Sequence, residues 1–284
     1  MSIRRVVLVF ALAVGFTGTA SAQSLEQLLT SKYHGKTFLL RHSFKKRSQE
    51  YSLEGTLVGG SEEGPWTVDG SIVVKKIKVQ GDRVTIEGKR ALYVFDKSGS
   101  MKEVPDDRKH PAEDLKIVLH SPQPVSTVDD AAVILGRVLA LTGEDSVKSV
   151  PVYWQSTLAK SFGVQVLKET GSQNAGRAAA ERSGDGKVYS LYDLDKNSAA
   201  RPLYSPEPEF TDTARSWKFQ GIVGLNIIID STGKVRNVTI VHPLGMGLDD
   251  NAVATVSTWR FAPAQREGQP VAVSVYVEVD FHLY

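Results

Sequence analysis

The side chains that could carry out chemistry in this 284-residue chain are few and lie far apart. Asp249 and Asp250 are adjacent carboxylates of a kind that binds metal ions, but no further ligand lies near them at metal-site spacing. The six histidines stand at positions 34, 42, 110, 120, 242 and 282, and none lies in a nucleophile, metal or phosphate-binding motif. We therefore interpret the aspartate pair as helix capping, and we expect no enzymatic activity, no catalytic residue, no metal and no cofactor.

The densest charged run is Arg41-His42-Ser43-Phe44-Lys45-Lys46-Arg47. Such a run can bind lipopolysaccharide or another anionic polymer, but the simpler interpretation is a solvated face. The whole chain is nearly neutral, with 34 Lys plus Arg against 32 Asp plus Glu, and removal of Arg4 and Arg5 would balance the two totals. Balanced charge argues against nucleic acid as a partner, and no motif indicates a small-molecule substrate.

The amino-terminal residues have the pattern of an export signal. Arg4 and Arg5 form a basic start, residues 6–16 are eleven apolar positions, and a small-residue cleavage motif ends at Ala22. We predict that residues 1–22 are removed by cleavage between Ala22 and Gln23, because the apolar stretch is too short to cross about 30 Å of hydrocarbon comfortably. An uncleaved membrane anchor is the alternative. The chain has no cysteine, which excludes a disulfide scaffold and a lipoprotein anchor.

The remaining chain is predicted to be an α+β protein with two domains and a linker. Residues 23–167 contain short strand-like segments and at least two helices, so we expect a β-rich exported domain of unknown function. A helix that begins at Thr127 is apolar nearly all round and should be buried. Residues 168–200 are rich in Gly, Ser, Ala, Asn and charge, which predicts a flexible linker. Residues 201–284 form the second domain.

The last strand has the clearest pattern in the sequence. From Val271 to Phe281 the odd positions are valine or phenylalanine and most even positions are polar, which is the period of a half-buried strand. Two earlier strands join at a turn over residues 231–234, and helices precede and follow this hairpin. We expect a three-stranded antiparallel sheet with two helices on one face. The final strand should be a sheet edge with backbone groups open to a partner.

Seven short segments of this second domain carry a resemblance to a known family. They are Pro206-Glu207-Pro208-Glu209-Phe210, Ala214-Arg215, Gly221-Ile222-Val223, Asp230-Ser231-Thr232-Gly233, Gly247-Leu248-Asp249, Trp259-Arg260-Phe261-Ala262-Pro263-Ala264 and Gly268-Gln269-Pro270-Val271. Together they resemble the carboxy-terminal domain of the energy transducer TonB. In that family the domain lies in the periplasm and binds a short extended peptide of an outer-membrane receptor, which adds a strand to the last strand of the sheet.

The resemblance implies two partner-binding regions in this chain. The first is the solvent side of the last strand, with Ser274, Tyr276 and Glu278. The second is the segment before the first helix of the domain, which maps onto Glu207, Pro208, Glu209 and Phe210. A glutamate stands there where a glutamine is common in the family, so the partner's charge preference is open.

The front of the chain differs from that of an energy transducer. Residues 3–20 contain no histidine, and so they lack the Ser/His pair that engages the proton-driven motor; a Pro-rich rod is also missing. We expect a periplasmic protein that binds an outer-membrane receptor segment or another envelope protein, linked to TonB-dependent transmembrane transport. One alternative is an uncleaved energy transducer anchored in the inner membrane. Another is a structural envelope protein that self-associates, for example as a homodimer, through its edge strand.

Overall fold

The computed structural model describes residues 24–165, 186–194 and 199–283. The predicted export signal, with its cleavage site between Ala22 and Gln23, lies outside the described residues, as does most of the predicted linker. In the described part of the chain, no helix is both long and apolar enough to cross a membrane.

Short helices and strands alternate through the described residues. The helices are α1 Leu25–Tyr33, α2 Trp66–Asp69, α3 Val128–Leu135, α4 Gly143–Lys148, α5 Val152–Phe162, α6 Asp212–Ser216 and α7 Leu248–Val256. The strands are β1 Thr37–Leu40, β2 Ser48–Tyr51, β3 Ser71–Gln80, β4 Arg83–Lys89, β5 Leu92–Phe95, β6 Met101–Val104, β7 Asp114–His120, β8 Leu139–Ala140, β9 Val188–Ser190, β10 Arg201–Tyr204, β11 Gly221–Ile229, β12 Val235–His242, β13 Arg260–Ala262, β14 Ala264–Arg266 and β15 Gln269–Phe281. This mixture confirms the predicted α+β class.

A mixed sheet organises the first domain, with the order β2-β7-β4-β3-β1-β8 among the described residues. Neighbouring strands are antiparallel apart from the parallel pair β2 and β7. Helices α1 and α3 pack against this sheet, since the buried side chains of Leu29 and Leu135 share a core with Ile72 and Ile86. The prediction of a β-rich first domain is confirmed.

Helix α3 begins where the sequence predicts it but is less buried than expected. The Thr127 hydroxyl accepts the Asp130 N–H and the Asp130 carboxylate accepts the Thr127 N–H, which is a complete capping box. The helix ends at Leu135 because the chain turns at Gly136 and then joins the sheet as β8. Val133 is 68% exposed, so the expectation of a helix buried all round is wrong.

The second domain contains the predicted antiparallel sheet. β11 lies between β12 and β15, and it pairs with β15 from Gly221 opposite Phe281 to Ile229 opposite Val273. Helices α6 and α7 pack against the sheet, because Ala214 and Leu248 belong to the same buried cluster as its inward side chains. The structure confirms the three predicted strands and adds β14 and β9 beside β15.

The two predicted domains share one apolar core. Trp66, Phe95 and Trp154 of the first domain pack together, with ring centroids 5.1 Å apart for the two tryptophans, and they belong to the buried cluster of the second domain. The backbones of the two domains are in close contact at Gly245. A side chain there would clash, since a Cβ would lie 2.3 Å from the carbonyl oxygen of Tyr93. The domains are therefore in direct contact through both side chains and backbone.

A part of the predicted linker is an ordered strand. β9, within the range 168–200, pairs in parallel with β15, with Val188 opposite Ala272 and Ser190 opposite Ser274. Tyr189 is only 9% exposed and joins the shared core. Residues 188–190 therefore form a strand and not a flexible linker, because the aromatic side chain of Tyr189 is buried. The outer boundaries of the predicted domains stay predictions.

Candidate functional site

The outer edge of β15, on the side away from β11, is covered over its first part only. β14 pairs with residues 269–271 and β9 pairs with residues 272–274. Over residues 275–281, none of the described strands pairs with β15 on this side. The prediction of an open edge from Val271 onward is thus wrong for residues 271–274, which the chain itself covers, and for the second half of the strand it stays a prediction.

The opposite edge of the sheet is covered near Ile240 by the first domain. Helix α5 packs beside β12, and the hydroxyl of Thr157 donates a 2.5 Å hydrogen bond to the carbonyl oxygen of Ile240. A helix beside an edge strand blocks the addition of another strand there. Within the described residues, the stretch 275–281 is therefore a candidate place for the addition of a strand to this sheet.

The side chains predicted to select a partner stand in the expected alternation on β15. Ser274, Tyr276 and Glu278 are exposed, whereas Val273 and Val279 are buried. Their placement on the solvent side of the strand follows from the period-two pattern. Whether they contact a partner stays a prediction.

Tyr276 is the centre of a small polar cluster on this face. Its hydroxyl donates to the Glu278 carboxylate over 3.2 Å and lies 3.1 Å from Nδ1 of His242, whose ring meets the tyrosine ring edge-on. Partial burial, with a smaller contribution from the hydrogen-bonded Glu278 carboxylate, raises the pKa of Tyr276. The phenol is thus a neutral hydrogen-bonding group at physiological pH.

Gly224 makes room for this cluster. It lies in β11 with His242 opposite on one side and Glu278 opposite on the other. A Cβ at Gly224 would be 2.6 Å from the Tyr276 hydroxyl and 2.8 Å from His242 Nδ1. The isolated glycine within an apolar strand was the available sequence signal of a close approach, and it would have pointed to His242, which no motif marks.

The second predicted region borders the same strand from its buried face. The Phe210 ring meets the Phe281 ring edge-on at 5.5 Å, and the guanidinium of Arg215 lies 5.8 Å from the Phe210 ring centre. Glu207 and Glu209 are exposed, and the carbonyl of Glu209 accepts a 2.8 Å hydrogen bond from the Asn251 side chain. Since Phe281 is at an odd position and Tyr276 at an even one, the two regions lie on opposite faces of the sheet.

A cleft between the domains runs beside this second region. It has a volume of about 730 Å³ and is lined by Glu209 and Phe210 of the second domain and by Lys45 and His110 of the first. His110 also stacks on Trp217, with ring centroids 4.1 Å apart. A partner that reached Glu209 would therefore also meet side chains of the first domain.

Asp250 joins the two domains and Asp249 binds the turn before α7, so neither side chain caps the helix. The cap of α7 is Gly247, and the two aspartates lie in its first turn. Asp249 accepts the N–H groups of Leu244 and Gly245 at 2.8 and 2.6 Å. Asp250 accepts the hydroxyl of Tyr153 at 2.9 Å and the indole N–H of Trp154 at 3.3 Å. The helix-capping interpretation is wrong, because backbone and aromatic donors elsewhere bind these carboxylates.

Burial dominates the ionisation of both carboxylates. It raises the pKa of Asp249 to about 7 and that of Asp250 to about 6, against the opposing effect of their hydrogen bonds. In the described residues, no group of three or more His, Cys, Asp or Glu side chains could hold a metal ion.

Four of the five basic side chains in the run of the first domain face neighbouring carboxylates, and the Lys46 ammonium group donates to the Val58 carbonyl oxygen instead. The pairs are Arg41 with Asp145 at 3.1 Å, His42 with Glu63 at 3.0 Å, Lys45 with Glu62 at 2.9 Å and Arg47 with Glu113 at 2.5 Å. Paired charges leave little net positive potential for an anionic polymer. The arrangement favours the interpretation of a solvated face.

Residues 206–283 match a protein-family model described as Gram-negative bacterial TonB protein C-terminal. The chain carries a TonB C-terminal domain. Among solved structures, the solution NMR structure of the Pseudomonas aeruginosa TonB CTD is 22% identical over 34% of this chain and 94% of that chain, with a TM-score of 0.28. No curated protein matches the chain.

The matched range contains the whole of the β11, β12 and β15 sheet and both predicted partner-binding regions. It excludes the first domain and β9. The TonB domain links this chain to TonB-dependent transport at the cell envelope. The resemblance inferred from seven short segments is thereby confirmed.

Proposed function

We propose that this chain is a periplasmic binding protein whose TonB domain adds a strand from an outer-membrane receptor or another envelope protein to residues 275–281 of β15. The observation that carries the proposal is the coverage of the sheet edges in the described residues: α5 covers β12, while β14 and β9 cover the first part of β15. Unpaired backbone groups of an edge strand form a ready template for a further strand.

The charge of the exposed face favours a particular partner sequence. Glu278 and Asp280 are exposed at alternate positions of the open stretch, and Ile222, which lies opposite Asp280 on β11, is 50% exposed. Opposite charges on neighbouring strands attract and like charges repel. A partner strand with lysine or arginine at every second position would therefore bind better than an acidic one.

We propose further that the protein acts by binding rather than catalysis, and that it reaches the periplasm through cleavage after Ala22. Amino-terminal sequencing of the exported protein tests the second statement. A mature terminus at Gln23 is expected, whereas an intact terminus would support the inner-membrane-anchored energy transducer instead.

Site-specific photo-crosslinking in intact cells tests the binding mode. A benzoylphenylalanine at Tyr276 should crosslink to an outer-membrane receptor or another envelope protein. The same probe at Val133, which is 68% exposed on the first domain, is the matched control and should not yield that product. Crosslinks between two copies of this chain at Tyr276 would instead favour the self-associating alternative, and the absence of any product specific to Tyr276 would contradict strand addition.

A further inference from the structure

The chain already adds one strand to the proposed binding edge. β9 runs parallel to β15, with Tyr189 opposite Val273. The strand ends at Ser190, where a 3₁₀ turn begins: the Ser190 hydroxyl accepts the Tyr192 N–H and the Asp193 carboxylate accepts the Ser190 N–H. The internal strand is thus short, and it stops just where the open stretch of β15 begins.

One side chain anchors this internal strand. The Tyr189 hydroxyl accepts a 2.7 Å hydrogen bond from Nη1 of Arg266, and the guanidinium lies 4.8 Å from the centre of the tyrosine ring. Arg266 lies on β14, directly beside the edge. A half-exposed guanidinium in this position stabilises a tyrosine in two ways. It makes a cation–π contact with the face of the ring, and it donates a hydrogen bond to the phenol oxygen. The edge of β15 therefore has a preformed binding site for an aromatic side chain.

The pairing of the internal strand is short. Its pairing covers three positions, and the next residues, Leu191 and Tyr192, are 39% and 99% exposed. A short pairing with one buried anchor can open at small cost compared with a core strand. A partner strand that ran along the whole outer edge would then replace it.

We propose that Val188–Ser190 is an internal stand-in for a partner strand, and that residues 272–274 accept a parallel extended peptide with an aromatic side chain in the place of Tyr189. The proposal rests on the proposed function, because it names the partner's chemistry at the adjoining part of the same edge. Because β9 belongs to the same chain, it competes with such a partner. The apparent affinity of the partner is its intrinsic affinity multiplied by the fraction of molecules in which β9 has left the edge.

The probe is a fluorescein-labelled peptide with the sequence of residues 186–194, added to the full mature chain. The wild-type protein should bind it weakly, because its own β9 fills the edge. The variant Tyr189→Pro, which removes both the anchor and a backbone donor of β9, should bind it at least about tenfold more tightly. Tyr192→Ala alters an exposed neighbour outside the strand and is the matched control, expected to behave as wild type.

Selectivity is tested with a second peptide that has serine at the position of Tyr189. It should bind Tyr189→Pro several-fold more weakly than the first peptide, and Arg266→Gln in that background should remove the difference. Near-UV circular dichroism checks that the variant is folded, and Tyr189→Ser is the milder substitute if it is not. Equal binding by wild type and both Tyr189 variants, or equal binding of both peptides, would overturn the proposal.

The two proposals can fail separately. If the photo-crosslinking at Tyr276 finds no envelope partner but the peptide binds as described, the proposed function fails and the aromatic site at residues 272–274 stands. If an envelope partner crosslinks at Tyr276 but the peptide results are negative, only the role of β9 is wrong.

Discussion

The Thr157 hydroxyl of helix α5 donates a buried hydrogen bond to the carbonyl oxygen of Ile240 in β12 of the TonB domain. Thr157→Val keeps the side-chain shape and leaves that carbonyl without its donor. We expect the free energy of unfolding to fall by about 1 to 3 kcal/mol, measured by urea denaturation. Thr239→Val on the outer part of the same strand is the control and should change stability by less than about 0.5 kcal/mol. Equal losses of stability in the two variants would contradict a stabilising role for the hydrogen bond between Thr157 and Ile240.

Gly224→Ala should separate Tyr276 from His242, since the new Cβ would lie 2.6 Å from the Tyr276 hydroxyl. Because that atom ends a side chain that can move, we expect a loss of about 1 to 3 kcal/mol in the free energy of unfolding. Gly233→Ala is the severe comparison: its φ is +79° and a Cβ would lie 1.8 Å from the carbonyl oxygen of Phe261. It should cost at least about 3 kcal/mol. Thermal and urea unfolding of both variants measures the two losses of stability. A larger loss for Gly224→Ala than for Gly233→Ala would contradict this prediction.

The buried carboxylates of Asp249 and Asp250 predict a stability that falls as pH rises. In the unfolded chain both groups titrate near about pH 4, but in the folded protein their pKa values are raised to about 7 and about 6. Between these limits the folded state binds more protons than the unfolded state, so the stabilisation present below about pH 4 is lost as pH rises through the folded values. Urea titrations at constant ionic strength between pH 4 and 8 measure this trend.

Asp250→Asn isolates one of these groups. Its Oδ1 accepts from Tyr153 and Trp154, and its Oδ2 is buried without a hydrogen-bond partner. An asparagine keeps the accepting oxygen and removes the buried charge, so we expect about 1 to 3 kcal/mol more stability at pH 8 and a flatter pH dependence.

Asp249→Asn is the contrasting variant, because both of its oxygens accept backbone N–H groups. In the asparagine, an NH₂ group would replace one of the two accepting oxygens, so that its N–H groups would face a backbone N–H group. This variant should be less stable than wild type at every pH tested, and a stabilising effect would contradict the hydrogen-bond arrangement described here.

Tyr276→Phe should separate binding from stability. The change removes the hydroxyl that joins Glu278 and His242 on an exposed face, so stability should change by less than about 0.5 kcal/mol. Crosslinking yield or affinity for the envelope partner should fall several-fold, because the proposed binding mode places the phenol oxygen against the added strand. Tyr192→Phe, at a fully exposed position, is the control and should leave binding unchanged.

The parts of the fold that could be predicted are those in which local pattern and tertiary environment agree. β15 shows this, since Val273, Val279 and Phe281 are buried at odd positions, whereas Ser274, Tyr276 and Glu278 are exposed at even ones. The capping box at Thr127 likewise fixed the start of α3 through contacts within four residues.

The parts that escaped prediction depend on contacts between distant segments. β9 is three residues long and lies among glycines, serines and charges, and it is a strand only because Tyr189 docks against Arg266, which is 77 residues away in sequence. Asp250 follows the same principle, since its partner Tyr153 lies 97 residues before it. No local composition encodes such pairings.

The lateral order α5, β12, β11, β15 has a mechanical consequence. A strand pulled along the outer edge of β15 would load its backbone hydrogen bonds in shear, so that many would have to break together rather than one after another. The same tension would pass across the sheet to β12 and, through the Thr157 contact and the shared aromatic core, into the first domain. Any force applied to a peptide bound at this edge would therefore be resisted by both domains.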